Sequence, residues 1–140
     1  MKSISPKLVF LADDDPDDRR LIAEAFKEKE KGLEWHFMEN GEQLLNILKG
    51  RGNYPTLILL DLNMPVLGGL EALLEIRKDK KLNTVPVIIL STSGLHKDKR
   101  ISYEYGANCF VQKPDSYIKL IEITGAISSL WLTDSNEQSA

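Results

Sequence analysis

Five aspartates fall within six positions of this 140-residue chain, in the run Asp13-Asp14-Asp15-Pro16-Asp17-Asp18. They follow an apolar stretch, Leu8 to Ala12. Asp61 directly follows another, Leu57-Ile58-Leu59-Leu60. A carboxylate at the end of an apolar run is costly unless it is paired or put to use. Taken alone, Asp61 serves equally well as a strand-end residue capping a loop. If Asp13 and Asp14 lie beside it, the three carboxylates repel, and a divalent cation is the simplest relief. Oxygen-only donors suit Mg2+, with Mn2+ the alternative, and do not suit zinc. Within the run, Asp15 before Pro16 has the form of a helix N-cap, and Asp17 and Asp18 suit an acidic first turn favoured by the helix dipole. Lys113 precedes Pro114, where a cis bond is open to the chain. Its ammonium can pair with an anion, although a lysine in isolation is ordinarily a surface residue. Ser91 offers a hydroxyl, or simply ends a strand by bonding to backbone.

The elements that must position these groups are legible from periodicity. Short apolar runs alternate with segments of helical spacing. Residues 8–12, 56–60, 87–91 and 108–112 read as strands, and Leu33, Trp35 and Phe37 alternate with polar neighbours as at a half-covered sheet edge. Helices are expected after Asp15 (Leu21, Ile22, Ala25 and Phe26 inward), after Asn40 (Leu44, Leu45, Ile47, Leu48) and around Leu70, Leu73, Leu74 and Arg77. A weakly apolar one follows, about His96 to Tyr105, with Ile101 and Tyr105 as its core candidates and Gly106 as its stop. The last runs from about Ser116 to Trp131, capped by Asp115.

Five strands alternating with five helices imply an α/β fold, a doubly wound parallel sheet covered on both faces. Ligands in such sheets bind beyond the carboxyl ends of the strands. Asp13 and Asp14 end the first strand, Asp61 the third, Ser91 the fourth, and Lys113 follows the fifth. Four strand ends therefore bring reactive groups to one edge, which is stronger evidence than any one residue.

LADDDP, LILLDLNMP, PVIILSTSG and FVQKP, in that order, resemble the receiver domains of two-component response regulators. The steps of 47 residues from Asp14 to Asp61, 30 on to Ser91 and 22 on to Lys113 carry the likeness over about residues 7–131. It implies the flavodoxin-like strand order 2-1-3-4-5. It also implies that Asp61 is the phosphoacceptor and that Asp13, Asp14 and the main-chain carbonyl of Asn63 hold Mg2+ (or Mn2+) with it. Ser91 and Phe110 take the switch positions, and Lys113 that of the phosphate-pairing lysine. The implied partners are a sensor histidine kinase and a downstream protein or phosphotransfer protein. GANCFVQKP and the late ISSLWL narrow the resemblance to small receivers of phytochrome-type kinases. Such receivers are expected to dimerise through helix four, strand five and helix five, where Tyr103, Tyr117 and Trp131 would add aromatic area. Thr92 stands where many receivers carry a smaller residue, and Gly68 where an aspartate is frequent; only a turn effect is expected at Gly68.

Composition fits one soluble domain spanning 1–140, with a core at about 7–132, a frayed polar tail from Thr133 and no output domain. The net charge of −3 provides no global basic field for nucleic acid or membrane. A lone Cys109, read as a core residue, fits a reducing cytoplasm. His36 and His96 read as surface residues. A haloacid-dehalogenase-type phosphatase would want a second acid in Asp61-Leu62-Asn63, and an FMN carrier a hydroxyl- and glycine-rich loop where this chain has five acids. The chain is accordingly expected to be a phosphoacceptor and not an enzyme.

Overall fold

Successive side chains of a strand point to opposite faces, so a run that is apolar at every position needs a core on each side of its sheet. The structure, a computed structural model, describes residues 6–50 and 54–133 and contains such a sheet. Its elements in chain order are β1 (Lys7–Ala12), α1 (Pro16–Lys27), β2 (Leu33–Met38), α2 (Gly41–Gly50), β3 (Leu57–Leu60) and α3 (Gly69–Lys78). They continue with β4 (Val87–Ser91), α4 (His96–Glu104), β5 (Cys109–Gln112) and α5 (Tyr117–Ile127), which runs into a π-helical turn at Ser128–Leu132. All pairings are parallel and the strand order is β2-β1-β3-β4-β5, as expected.

Phe10, Ala12, Ile58, Leu60, Val87 and Ile89 face a core closed by α2 and α3. Their neighbours Val9, Leu11, Leu57, Leu59, Ile88 and Leu90 face a second core closed by α1, α5 and the π-helical turn. The site edge is thus held by a scaffold buried on both sides. No helix among the described residues is long and apolar enough to cross a membrane.

Several expectations are corrected. Leu21 and Leu74 are 38% exposed, and Phe37 at the β2 edge 47%. In α4 neither Ile101 nor Tyr105 is buried; the buried residue is Ser102, whose hydroxyl donates to the Asp98 carbonyl at 2.7 Å. A hydroxyl that bonds its own helix can be buried at little cost, which apolar periodicity does not register. Helix α5 is capped by Ser116, which accepts from the Lys119 amide at 3.2 Å, and not by Asp115. Cys109 is half-buried. His36 is also half-buried, its ring 5.4 Å from that of Phe10. No peptide bond among the described residues is cis, the Lys113–Pro114 bond included. The tail from residue 134 lies outside the described residues.

Arg77 was expected only to mark α3, yet it ties three segments together. Its Nε donates to the Gly106 carbonyl at 2.9 Å, one terminal nitrogen to Val85 at 2.8 Å, and the other to the Asn108 side chain at 2.9 Å. Gly106, at φ 105°, cannot take a side chain here: a Cβ would lie 2.8 Å from Arg77 Cγ. Half-burial lowers the guanidinium pKa through desolvation, and the bonds to backbone carbonyls offset that cost. Arg77→Ala is expected to lose about 2–4 kcal/mol of stability, because several partly buried carbonyls lose their donor together. Urea unfolding should show a lower midpoint at an unchanged slope. A change below about 0.5 kcal/mol would remove the clamp from the account of stability.

Candidate functional site

The reactive side chains are placed by the last rungs of the sheet. The Asp13 amide donates to the Met38 carbonyl and the Asp61 amide to the Ala12 carbonyl, both at 3.0 Å. The Lys113 amide donates to the Ser91 carbonyl at 2.6 Å. Each residue therefore has its backbone fixed by the ladder while its side chain leaves the sheet. Of the residues expected to converge, Asp13, Asp14, Asp61 and Lys113 bring their side chains together, whereas the Ser91 hydroxyl is engaged with the Ser93 amide.

Carboxylate oxygens of Asp13, Asp14 and Asp61 lie within 4.8 Å of one another. Asp13 is 1% exposed and Asp61 8%, whereas Asp14 is open to solvent. Lys113 Nζ lies 2.7 Å from Asp13 Oδ2, 2.9 Å from Asp18 Oδ2 and 3.8 Å from Asp61 Oδ2. The other Asp13 oxygen accepts the Asp15 amide at 3.0 Å, and Arg19 donates to the Asp13 carbonyl at 2.6 Å. Asp15 caps α1 as expected, accepting the Asp17 amide at 2.9 Å.

Burial raises the Asp61 carboxyl to about 6. Lys113 and the Asn63 amide pull it down, and Asp13 and Asp14 add repulsion. Burial would lower the Lys113 ammonium, but hydrogen bonds to Asp13 and Asp18 outweigh it and hold the group above the ordinary lysine range. The donor set fits a hard divalent cation: clustered oxygens on two strand ends, with one face open through Asp14.

Ser91 is fully buried, and its hydroxyl accepts the Ser93 amide at 3.1 Å. Phe110 is half-buried against the α2–α3 core, and its amide donates to the Tyr103 hydroxyl at 3.1 Å. Asn63 is exposed in the loop after β3, and so is Thr92 after Ser91. Tyr117 is exposed at the start of α5, and its phenol is raised by desolvation and by Glu28 and Glu24. Trp131 packs on the α1–α5 core.

Two features of the site escaped sequence reasoning. Asp18 is not merely a first-turn acid, since it reaches Lys113; its signal, an acid at the third helical position, is the same whether or not it reaches anything. Gly69 is the other. A Cβ there would lie 2.2 Å from the Asp61 carbonyl oxygen, so the start of α3 rests directly on the backbone of Asp61. The flanking loop turns through Val66 at φ 66° and is pinned by the Gly41 amide on the Leu67 carbonyl at 2.8 Å. The paired glycines of MPVLGG were the available signal, read at Gly68 instead.

Residues 9–124 match the family described as the response regulator receiver domain. The chain is 35% identical over 136 residues to response regulator Rcp1 of Synechocystis, covering 94% of this chain and 92% of that protein. It resembles the phosphorylated cyanobacterial phytochrome response regulator RcpA with a TM-score of 0.85 at 34% identity, covering 91% and 95% of the two chains. The Mn2+-bound form of Rcp1 matches with a TM-score of 0.82 at 34% identity over the same shares.

The raised Asp61 pKa has a consequence for stability. At neutral pH the buried carboxylate opposes folding. As pH falls through about 6 toward its ordinary 3.8, the folded state takes up a proton before the unfolded chain does, and stability rises. In chelator, Asp61→Asn is expected to be more stable than wild type at neutral pH by about 1–3 kcal/mol. The difference should shrink across that window. Parallel stability profiles for the two proteins would contradict this reading of Asp61.

Proposed function

The chain belongs to the response regulator receiver family, and on that footing we propose that Asp61 accepts the phosphoryl group. The donor is a phosphohistidine of a sensor histidine kinase. Mg2+, or Mn2+ in its place, would be held by Asp13, Asp14, Asp61 and the main-chain carbonyl of Asn63. The observation that carries this is the meeting of three carboxylates with one largely shielded lysine at the sheet edge.

In the transfer, an Asp61 Oδ forms a bond to phosphorus, the N–P bond to the kinase histidine breaks, and the imidazole leaves and takes up a proton. Carboxylate and phosphoryl both carry negative charge, so the approach needs positive charge waiting for it. A divalent cation held by Asp13, Asp14 and Asp61 would supply part of that charge. Lys113, within 4 Å of Asp61 and largely shielded from water, supplies the rest. The Ser91 hydroxyl can swing from the Ser93 amide to a phosphoryl oxygen, and Phe110 can follow into the space left. The chain is a phosphoacceptor that assists its own transfer and hydrolysis.

Rcp1 and RcpA are described as a response regulator and a phytochrome response regulator. That supports a phytochrome-type kinase as the partner, with the signal passed to a downstream protein or phosphotransfer protein. The output face is α4, β5 and α5, which is also the face for a homodimer. Tyr103 is exposed there and its hydroxyl covers an amide of the β5 edge, so movement at Phe110 is felt at that surface. We place the protein in the cytoplasm as one receiver domain over residues 1–140.

Phosphorylated kinase and Mg2+ should add one phosphoryl to wild type and none to Asp61→Asn, read by intact mass. A full phosphate increment on the variant would rule out Asp61. Thr92 follows Ser91 and is exposed, and we read its branched side chain as narrowing the approach to Asp61. Thr92→Ala is expected to react about two- to tenfold faster with acetyl phosphate and to lose phosphate faster by a similar factor. Unchanged rates in both directions would show that position 92 does not gate access.

A further inference from the structure

Asp17 and Asp18 are adjacent acids in the first turn of α1, and electrostatics at the helix terminus favours both alike. Their surroundings differ. The Asp17 side chain is 76% exposed, with Arg20 3.7 Å away as its ion-pair partner. Asp18 is only 34% exposed and lies 2.9 Å from Lys113 Nζ, 95 residues along the chain. The Lys113 side chain is 12% exposed. An ammonium so shielded has three protons and few places to direct them. One goes to Asp13 and one to Asp18, while the nearest oxygen of Asp61 stays at 3.8 Å, beyond hydrogen-bonding distance. The contact is built into the helix start. Asp15 accepts the Asp17 and Asp18 amides at 2.9 and 3.4 Å, and Arg19 fastens the same turn to the Asp13 carbonyl.

We propose that Asp18 is a positioning residue that holds the Lys113 ammonium off Asp61 until a phosphoryl group arrives, keeping the Asp61 carboxylate free for the cation and for attack. Without Asp18, the acceptor left within reach of the freed proton is Asp61 itself, 0.9 Å farther from Nζ than the Asp18 oxygen, since 3.8 − 2.9 = 0.9. A lysine bonded to Asp61 competes with the cation for the same oxygens. Asp18 also links the first turn of α1 to the segment after β5, so it reports to Lys113 any movement of that turn. This role rests on the reading of Asp13, Asp14 and Asp61 as a divalent cation site.

The test is a double-mutant cycle with Mn2+ as the probe, its binding followed by paramagnetic resonance without phosphodonor. Asp18→Asn is expected to weaken Mn2+ binding about five- to tenfold in the presence of Lys113. The same change in a Lys113→Ala background should cost about twofold or less, the general loss of one nearby negative charge. Asp17→Asn, which removes an equal charge without touching Lys113, should also stay within about twofold. Asp18→Glu keeps the carboxylate and should recover most of the affinity. Equal losses for Asp18→Asn in both backgrounds, or an equal loss for Asp17→Asn, would overturn the role of Asp18 while leaving the cation site standing. A wild type that binds no Mn2+ would overturn the cation reading and this inference with it.

Discussion

Like charges at one sheet edge are the constraint on which this structure turns. Asp13, Asp14 and Asp61 are brought together by strands that pair for reasons of their own, and nothing in the ladder relieves the repulsion that results. Lys113 provides the relief, its ammonium within 4 Å of both Asp13 and Asp61. Bonds to carboxylates more than repay the burial of the lysine. Asp61 is less fully compensated: it keeps a pKa near 6, a carboxylate under strain from burial and from its neighbours. A group in that condition gains from any added positive charge, which is why the arrangement suits a cation and a charged reactant in turn.

The strain is tolerable because the scaffold is rigid where the site is anchored. The central strands β1, β3 and β4 are buried on both faces, and close backbone contacts, Gly69 on Asp61 and Gly41 on Leu67, leave the loop after β3 little freedom. The opposite holds at α4, which contributes no buried apolar residue to either core and whose buried residue is a serine. Elements with little apolar burial are the first to shift. The fold thus sets a stiff site beside a loosely held helix, with Phe110 between them. Arg77 limits that looseness at the C-terminal end, since it grips Gly106 just past α4, and at the other end the Ser93 hydroxyl donates to Asp98 at 2.5 Å.

Strand composition by itself determined the sheet. Residues apolar at every position can satisfy both faces only between two layers of helix, and the alternation of runs fixed parallel connections. Once the sheet was parallel, Asp13, Asp14, Asp61 and Lys113 had to share an edge, so the heart of the site was legible before any coordinate. Capping by Asp15 and the stop at Gly106 were legible for a similar reason: their chemistry acts on their own backbone and needs no distant partner.

What only the tertiary structure decided is which of several equivalent residues reaches across. Asp17 and Asp18 have the same charge and the same helical preference, yet only the rotation of α1 on the sheet turns Asp18 toward Lys113. Periodicity likewise marked Arg77 as a helix residue and could not say that its fork meets two other segments, residues 82–85 and 106–108. Burial of Ser102 over Ile101, and of Gly69 rather than Gly68 against Asp61, depends on how closely whole elements approach one another in the packed fold. Local pattern encodes which face of an element is apolar. The partners of its polar groups are set by how the elements rotate and abut, and that is a property of the packed whole.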